Sequence, residues 1–136
     1  MQLVIDTNVL ISALLARSKT YELIVLGDLE LFSPEFSLEE IEKHFEELRE
    51  RMEVSKEEFD VALSLIPSNV TVVNRSQYKQ YEERAKKVCP DPKDFTFFAL
   101  ALAMRIPLWT NETKLKKQKE VMVYDTKDII KLVYGG

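Results

Sequence analysis

At 136 residues, with 46% apolar and 31% charged side chains, the chain has the size and balance of one soluble globular domain with a real core. Its formal charge of −4 excludes binding nucleic acid by bulk positive charge alone, although cations held among the acids would change that balance. No apolar stretch approaches the roughly 20 residues of a membrane span, and the N-terminus begins a strand with no basic region before it, so neither a transmembrane helix nor a secretory leader is expected.

The first element is a short buried strand, Gln2–Asp6, and a helix follows at Val9–Ala16. A second helical stretch, Tyr21–Leu26, is stopped by Gly27, and Leu29–Ser33 reads as a strand. The longest helix spans Ser37–Met52, with Leu38, Ile41, Phe45, Leu48 and Met52 on one stripe. Ser55 opens the next helix, with Glu58 at the capping-box position, and Pro67 lies just past its end. Val70–Val73 is β-branched and reads as a strand, with a helix near Ser76–Lys87 beyond it. After Pro-Asp-Pro comes the apolar helix Phe95–Met104. Pro107–Thr110 and Val121–Val123 are the last strands, with helices near Glu112–Gln118 and Asp125–Val133. Short strands alternating with helices predict the α/β class: a three-layer α/β/α sandwich with a central parallel sheet of about five strands. Residues 1–136 are read as a single domain, in the cytoplasm.

In an open parallel sheet, ligands bind beyond the carboxyl ends of the strands. Asp6 closes the first strand, usually a central one, and so projects into that crevice. The competing reading is that Asp6 or Thr7 only caps the following helix. The stretch "PLWTNETKL" brings Thr110, Asn111 and Glu112 to the same edge, and "PDPKDFTFFALALA" opens a helix with Asp91 and Asp94. There too an ordinary acidic helix start accounts for the pattern. Acids from separate strands at one edge nevertheless exceed what capping requires. Clustered carboxylates raise one another's pKa unless a cation sits between them. Hard oxygen ligands suit Mg²⁺, and one or two such ions activate water against a phosphodiester. The chemistry indicated is metal-dependent phosphoryl hydrolysis. A haloacid-dehalogenase-type phosphatase needs a second Asp where this chain has Asn8, and neither a phosphate-binding glycine loop nor a Gly-x-Ser-x-Gly elbow occurs. Cys89 is the only cysteine, which excludes an intrachain disulfide, and His44 reads as a solvated residue of a Glu-rich helix. The basic groups, Arg49 and Arg51, Lys86 and Lys87, and Lys114, Lys116, Lys117 and Lys119, read mainly as solvated helix faces.

Taken in order, "VIDTNVLISAL", "SPEFSLEEIEKH", "DPKDFTFFALALA" and "PLWTNETKL" resemble the successive motifs of the PIN domain, from Leu3 to about Lys117. The resemblance implies a small α/β/α fold and a Mg²⁺- or Mn²⁺-dependent ribonuclease. The VapC toxins of VapBC toxin–antitoxin systems are a large group in that family and usually homodimeric. The implied protein is a VapC-like hydrolase of RNA phosphodiester bonds, acting on single-stranded RNA, with an antitoxin protein as candidate partner and no membrane. Residue by residue, the family's first acid falls on Asp6, with Thr7 and Asn8 as neighbouring polar contacts. The helical glutamate falls on Glu40; it lies off the apolar stripe, so Glu39 and Glu42 stay open. The third acid falls on Asp94 with Asp91 as helper, and the fourth on Glu112, where the family more often has aspartate. Asp6, Asp94, Glu112 and Asp91 are thereby the implied metal ligands, while Thr110, Asn8 and Asn111 orient water or substrate. Lys114 stands where related sequences often carry an acid. Its ammonium either takes a substrate phosphate or disfavours a second metal, so one- and two-metal sites both remain. The alternative is a non-catalytic nucleic-acid- or protein-binding module of the same fold with a vestigial metal site.

Overall fold

The computed structural model describes residues 1–16, 18–26 and 28–135. Along the chain run β1 (Gln2–Ile5), α1 (Thr7–Ala16), α2 (Lys19–Val25), β2 (Glu30–Pro34), α3 (Glu35–Lys43), α4 (Phe45–Arg51), α5 (Lys56–Ser64) and α6 (Ile66–Asn69). Then follow β3 (Val70–Val73), α7 (Glu82–Val88), α8 (Phe95–Met104), β4 (Leu108–Trp109), β5 (Val123–Tyr124) and α9 (Thr126–Tyr134). The strands form one five-stranded sheet in the order β3-β2-β1-β4-β5, every pair parallel. Val4 is level with Phe32 on one side and Leu108 on the other.

β1 is the central strand, and its apolar run is unbroken because both its faces are covered. Leu3 and Ile5 join Leu10, Leu14, Leu23, Ile24, Trp109 and Ile129 in the core beneath α1, α2 and α9. Val4 and Leu108 point the other way, into a second core with Phe98, Leu100 and Ala85 of α8 and α7. The period of two along β1 thus divides its side chains between two layers of helices. Helices α3 to α5 lie further out, where Ile11, Ile41 and Phe59 are joined by Phe45, Leu48 and Met52. The Phe45 and Phe59 rings meet edge to face at 4.9 Å.

Several predicted bounds are corrected. The long helix over 37–52 is two helices beginning at Glu35 and broken at His44, whose backbone (φ −112°, ψ 28°) leaves the helical region. The break turns the lower half of the apolar stripe onto Phe59. Pro67 lies past the end of α5, as expected, but in the first turn of a further short helix, α6, where its missing N–H costs nothing. Much of the helix expected at 76–87 is a pair of 3₁₀ turns, Arg75–Gln77 and Lys79–Tyr81, which bury Tyr78 before α7 begins. Glu112–Gln118 holds a 3₁₀ turn, Thr113–Lys117, rather than an α-helix. The last strand begins at Val123, two residues later than expected, because the Gln118 side chain takes the N–H and C=O of Val121. Gly27, the expected stop of the second helix, lies outside the described residues; the Leu26 N–H closes that helix on the Glu22 carbonyl.

Candidate functional site

Strand order reverses between β1 and β4, and the crevice beyond their carboxyl ends is where such sheets bind ligands. Asp6 is the first residue past β1 and Thr110 the first past β4. Ladder hydrogen bonds place them as neighbours, Asp6 N–H donating to the Trp109 carbonyl at 2.9 Å and Thr110 N–H to Tyr124 at 3.0 Å. The Thr110 hydroxyl donates to Asp6 Oδ2 at 2.8 Å and accepts the Glu112 N–H at 3.2 Å. Asp6 Oδ1 accepts the Asn8 N–H at 3.0 Å. Asp6 therefore does cap α1, but with only one of its oxygens. Burial raises its pKa most strongly, the bonds from Thr110 and Asn8 pull it down, and the Glu112 charge adds to the rise.

Asp94 faces the same crevice from the other wall. It holds the N-cap position of α8, yet its side chain makes no capping bond. Half-buried, its carboxyl is pushed up to about 6 by burial first, then by the charges of Asp6, Asp91 and Glu112, with Lys114 offsetting part of the rise. Capping does not explain this residue.

A cleft of about 430 Å³ is lined by Asp6, Thr7 and Asn8 at its floor, by Glu40 and its α3–α4 neighbours on one wall, and by Asp94 on the other. Glu39 and Glu42 are exposed and outside it. Glu40 Oε2 lies 3.3 Å from His44 Nε2, so His44 is a half-exposed cleft residue rather than a merely solvated one. The remaining expected residues stand apart from the cleft. Asp91 accepts the Lys93 N–H and pairs with Lys114 at 2.9 Å, which holds its carboxyl below the usual range. Lys114 is thereby taken up by a partner within the chain. Glu112 is exposed and acts on Asp6 and Asp94 through its charge, without lining the cleft. Asn111 turns to α9, its Oδ1 accepting the Thr126 N–H at 2.9 Å. A larger groove of about 790 Å³ runs along β5 and α9 and holds none of these residues.

The sequence reading missed Phe36, Lys93 and Phe97 as cleft residues, and left Arg51 on a solvated face. Arg51 had one signal, its position in a basic pair; the others had none, because helix ends distant in the chain bring them together.

Among the described residues, no three His, Cys, Asp or Glu side chains converge as a ready cage for a metal ion. The donor set nevertheless suits a hard cation. Mg²⁺ is commonly held by one or two carboxylates, with waters and substrate phosphate completing its shell. Asp6 and Asp94 supply two carboxylates, and the buried Thr7 Oγ1 beside them has no hydrogen-bond partner. Burial and then the neighbouring acids raise the proton affinity of Asp94, and a cation at the site would offset the second of these.

A parallel α/β/α sandwich with carboxylates gathered at its switch point defines a class of proteins built to place acids around a polar ligand. The PIN domain profile matches residues 4–127, and the chain belongs to the PIN domain family. Among solved structures, it is similar in fold to a chain in the crystal structure of VapBC2 from Rickettsia felis bound to a DNA fragment from their promoter. The two are 17% identical with a TM-score of 0.68, the match covering 92% of this chain and 98% of that one. No curated protein matches the sequence. Among the described residues, no helix is long and apolar enough to cross a membrane.

Proposed function

We propose that this chain is a single-domain, Mg²⁺- or Mn²⁺-dependent endoribonuclease that cuts single-stranded RNA. In this reading it is the toxin of a toxin–antitoxin pair, cytoplasmic and homodimeric. Family membership and the likeness to VapBC2 support the reading. The observation that carries it is the uncapped, half-buried Asp94 whose proton affinity is raised beside Asp6. When bound, a divalent ion lowers the pKa of a water and offsets charge on the phosphoryl oxygens.

The chain's own residues do the rest. Thr110 and the Asn8 N–H fix the Asp6 carboxylate in one orientation, so it meets a ligand without reorganisation. Asp94 supplies the second carboxylate across the crevice. Glu40, on its helix, faces the space where a water and a phosphate would lie and is the candidate to take a proton from that water. Glu112 tunes the field at Asp6 and Asp94 from outside the cleft. With Lys114 and Asp91 paired to each other, a one-metal site fits this chain better than two.

Cleavage of a labelled single-stranded RNA in millimolar Mn²⁺ tests the reading. Activity is expected with Mn²⁺, none in chelator, and a loss of at least about a hundredfold in Asp94→Asn, the scale of one lost transition-state contact. Cleavage by Asp94→Asn equal to the parent's would overturn the role given to Asp94, and no cleavage by the parent in Mn²⁺ would leave the non-catalytic binding module as the better account.

A further inference from the structure

Phe36 is the exposed large apolar residue that the described cleft residues include, 53% exposed at the first turn of α3. Single exposed apolar residues are ordinary, so exposure alone decides nothing. Its setting is what matters. The start of α3 is pinned by a buried hydroxyl pair, Ser37 Oγ donating to the Pro34 carbonyl at 2.7 Å and bonding Ser33 Oγ at 2.9 Å, so the ring is carried on a fixed backbone. Two cations line the same cleft, Arg51 at the end of α4 and Lys93 before Asp94. Neither is ion-paired among the described residues, although acids surround them. Their neighbours behave otherwise: Arg49 is bound to Glu46, and Lys114 to Asp91.

We propose that this cleft holds one unstacked nucleotide of a single strand, its base laid on the Phe36 ring and its flanking phosphates met by Arg51 and Lys93. The assignment deepens the nuclease reading above and rests on it for the class of ligand. An acid-floored cleft repels phosphate, so a strand needs both charge on the rim and a neutral attraction. A phenyl face supplies the second to any base, with little regard to sequence. A base inside a duplex has no free face to offer, so paired strands are excluded by geometry rather than by charge.

Binding of phosphorothioate-linked oligomers carrying one 2-aminopurine, read by fluorescence quenching in millimolar Mg²⁺, tests this directly. Phe36→Ala is expected to weaken binding about fivefold or more, the low end of one base stack, while Phe36→Trp keeps or improves it. An abasic site in place of the 2-aminopurine, with binding read by the anisotropy of an end label, should erase the difference between Phe36→Ala and the parent, as a double-mutant cycle requires of a direct contact. Arg51→Gln should reduce the dependence of log affinity on log salt by about 0.7. RNA and DNA strands should show the same Phe36 effect, because the face of a base does not depend on its sugar. Parent-like binding by Phe36→Ala, an equal deficit on abasic strands, or a deficit equally large on duplex would overturn the proposal. Failure to cut natural RNA in Mn²⁺, with the Phe36 effect intact, would instead count against the nuclease reading.

Discussion

Asp94 takes up its proton near pH 6 in the folded chain, against 3.8 for a free aspartate. Between those values the folded state binds more protons than the unfolded one, so stability of the metal-free protein falls as pH rises through the window. The cost is complete above about 6 and relieved towards pH 4. Because the group is half exposed, solvent screens the repulsion and the cost is on the order of 1 kcal/mol. Asp94→Asn is therefore expected to melt higher than the parent at pH 7 in chelator and to lose that part of the pH dependence. It should also lose most of the stabilisation given by excess Mn²⁺, about 2.7 kcal/mol in the parent when metal is at 100 times its Kd. Melting curves with and without Mn²⁺ check both statements; a parent-sized Mn²⁺ shift in the variant would return Asp94 to a helix-start role. Thr110, 1% exposed, gives a second residue-level expectation. Thr110→Val removes a buried donor to a carboxylate and an acceptor for the Glu112 N–H, costing about 1.5–3 kcal/mol by urea denaturation, while Thr110→Ser costs less.

At the scale of elements, what was legible was what periodicity and chain-local chemistry determine. Val70–Val73 and Phe95–Met104 have the expected bounds, one a β-branched run and the other an apolar helix after Pro-Asp-Pro. The elements that shifted are those governed by side chains bonding to backbone. Gln118 donates to the Leu115 and Val121 carbonyls and accepts the N–H groups of Glu120 and Val121, and no hydropathy pattern records such a knot. Gln118→Ala should cost about 1–3 kcal/mol and speed amide exchange at Val123 and Tyr124 ahead of the β1 amides, measurable by hydrogen exchange. The same division holds for the candidate site. Asp6, Glu40 and Asp94 could be found because motifs flag them one at a time, whereas Phe36, Arg51 and Lys93 line one cleft only because the fold brings together the start of α3, the end of α4 and the turn before α8.

For the whole molecule, the excess of acids sets the terms of association. With a charge of −4 and carboxylates on the cleft floor, the metal-free protein should bind single-stranded RNA weakly, and Mn²⁺ or Mg²⁺ should strengthen binding by neutralising the floor. Titrations in chelator and in metal check this; equal affinities would mean the strand does not meet the acids at all. Ile41 of α3 is buried with Phe59 of α5 and Ile11 of α1, while Leu38, Phe45, Leu48 and Met52 pack against them and stay partly exposed. Two-fold homodimers are the commonest closed assembly, and sedimentation at micromolar concentration reads whether this chain forms the one proposed.

The bond between Thr110 and Asp6 joins residues separated by 104 positions, across the centre of the sheet. During synthesis at about 5–20 residues per second, Asp6 leaves the ribosome several seconds before the strand that orients it exists. For all that time β1 lacks one of its two neighbours. The candidate site is thus timed by chain order, since no nascent chain shorter than Thr110 can assemble it. Ribosome-bound chains arrested before that residue should leave RNA uncut in Mn²⁺, and activity should begin only once β4 has cleared the exit tunnel. On the nuclease reading proposed above, a molecule still on the ribosome leaves the message that encodes it uncut.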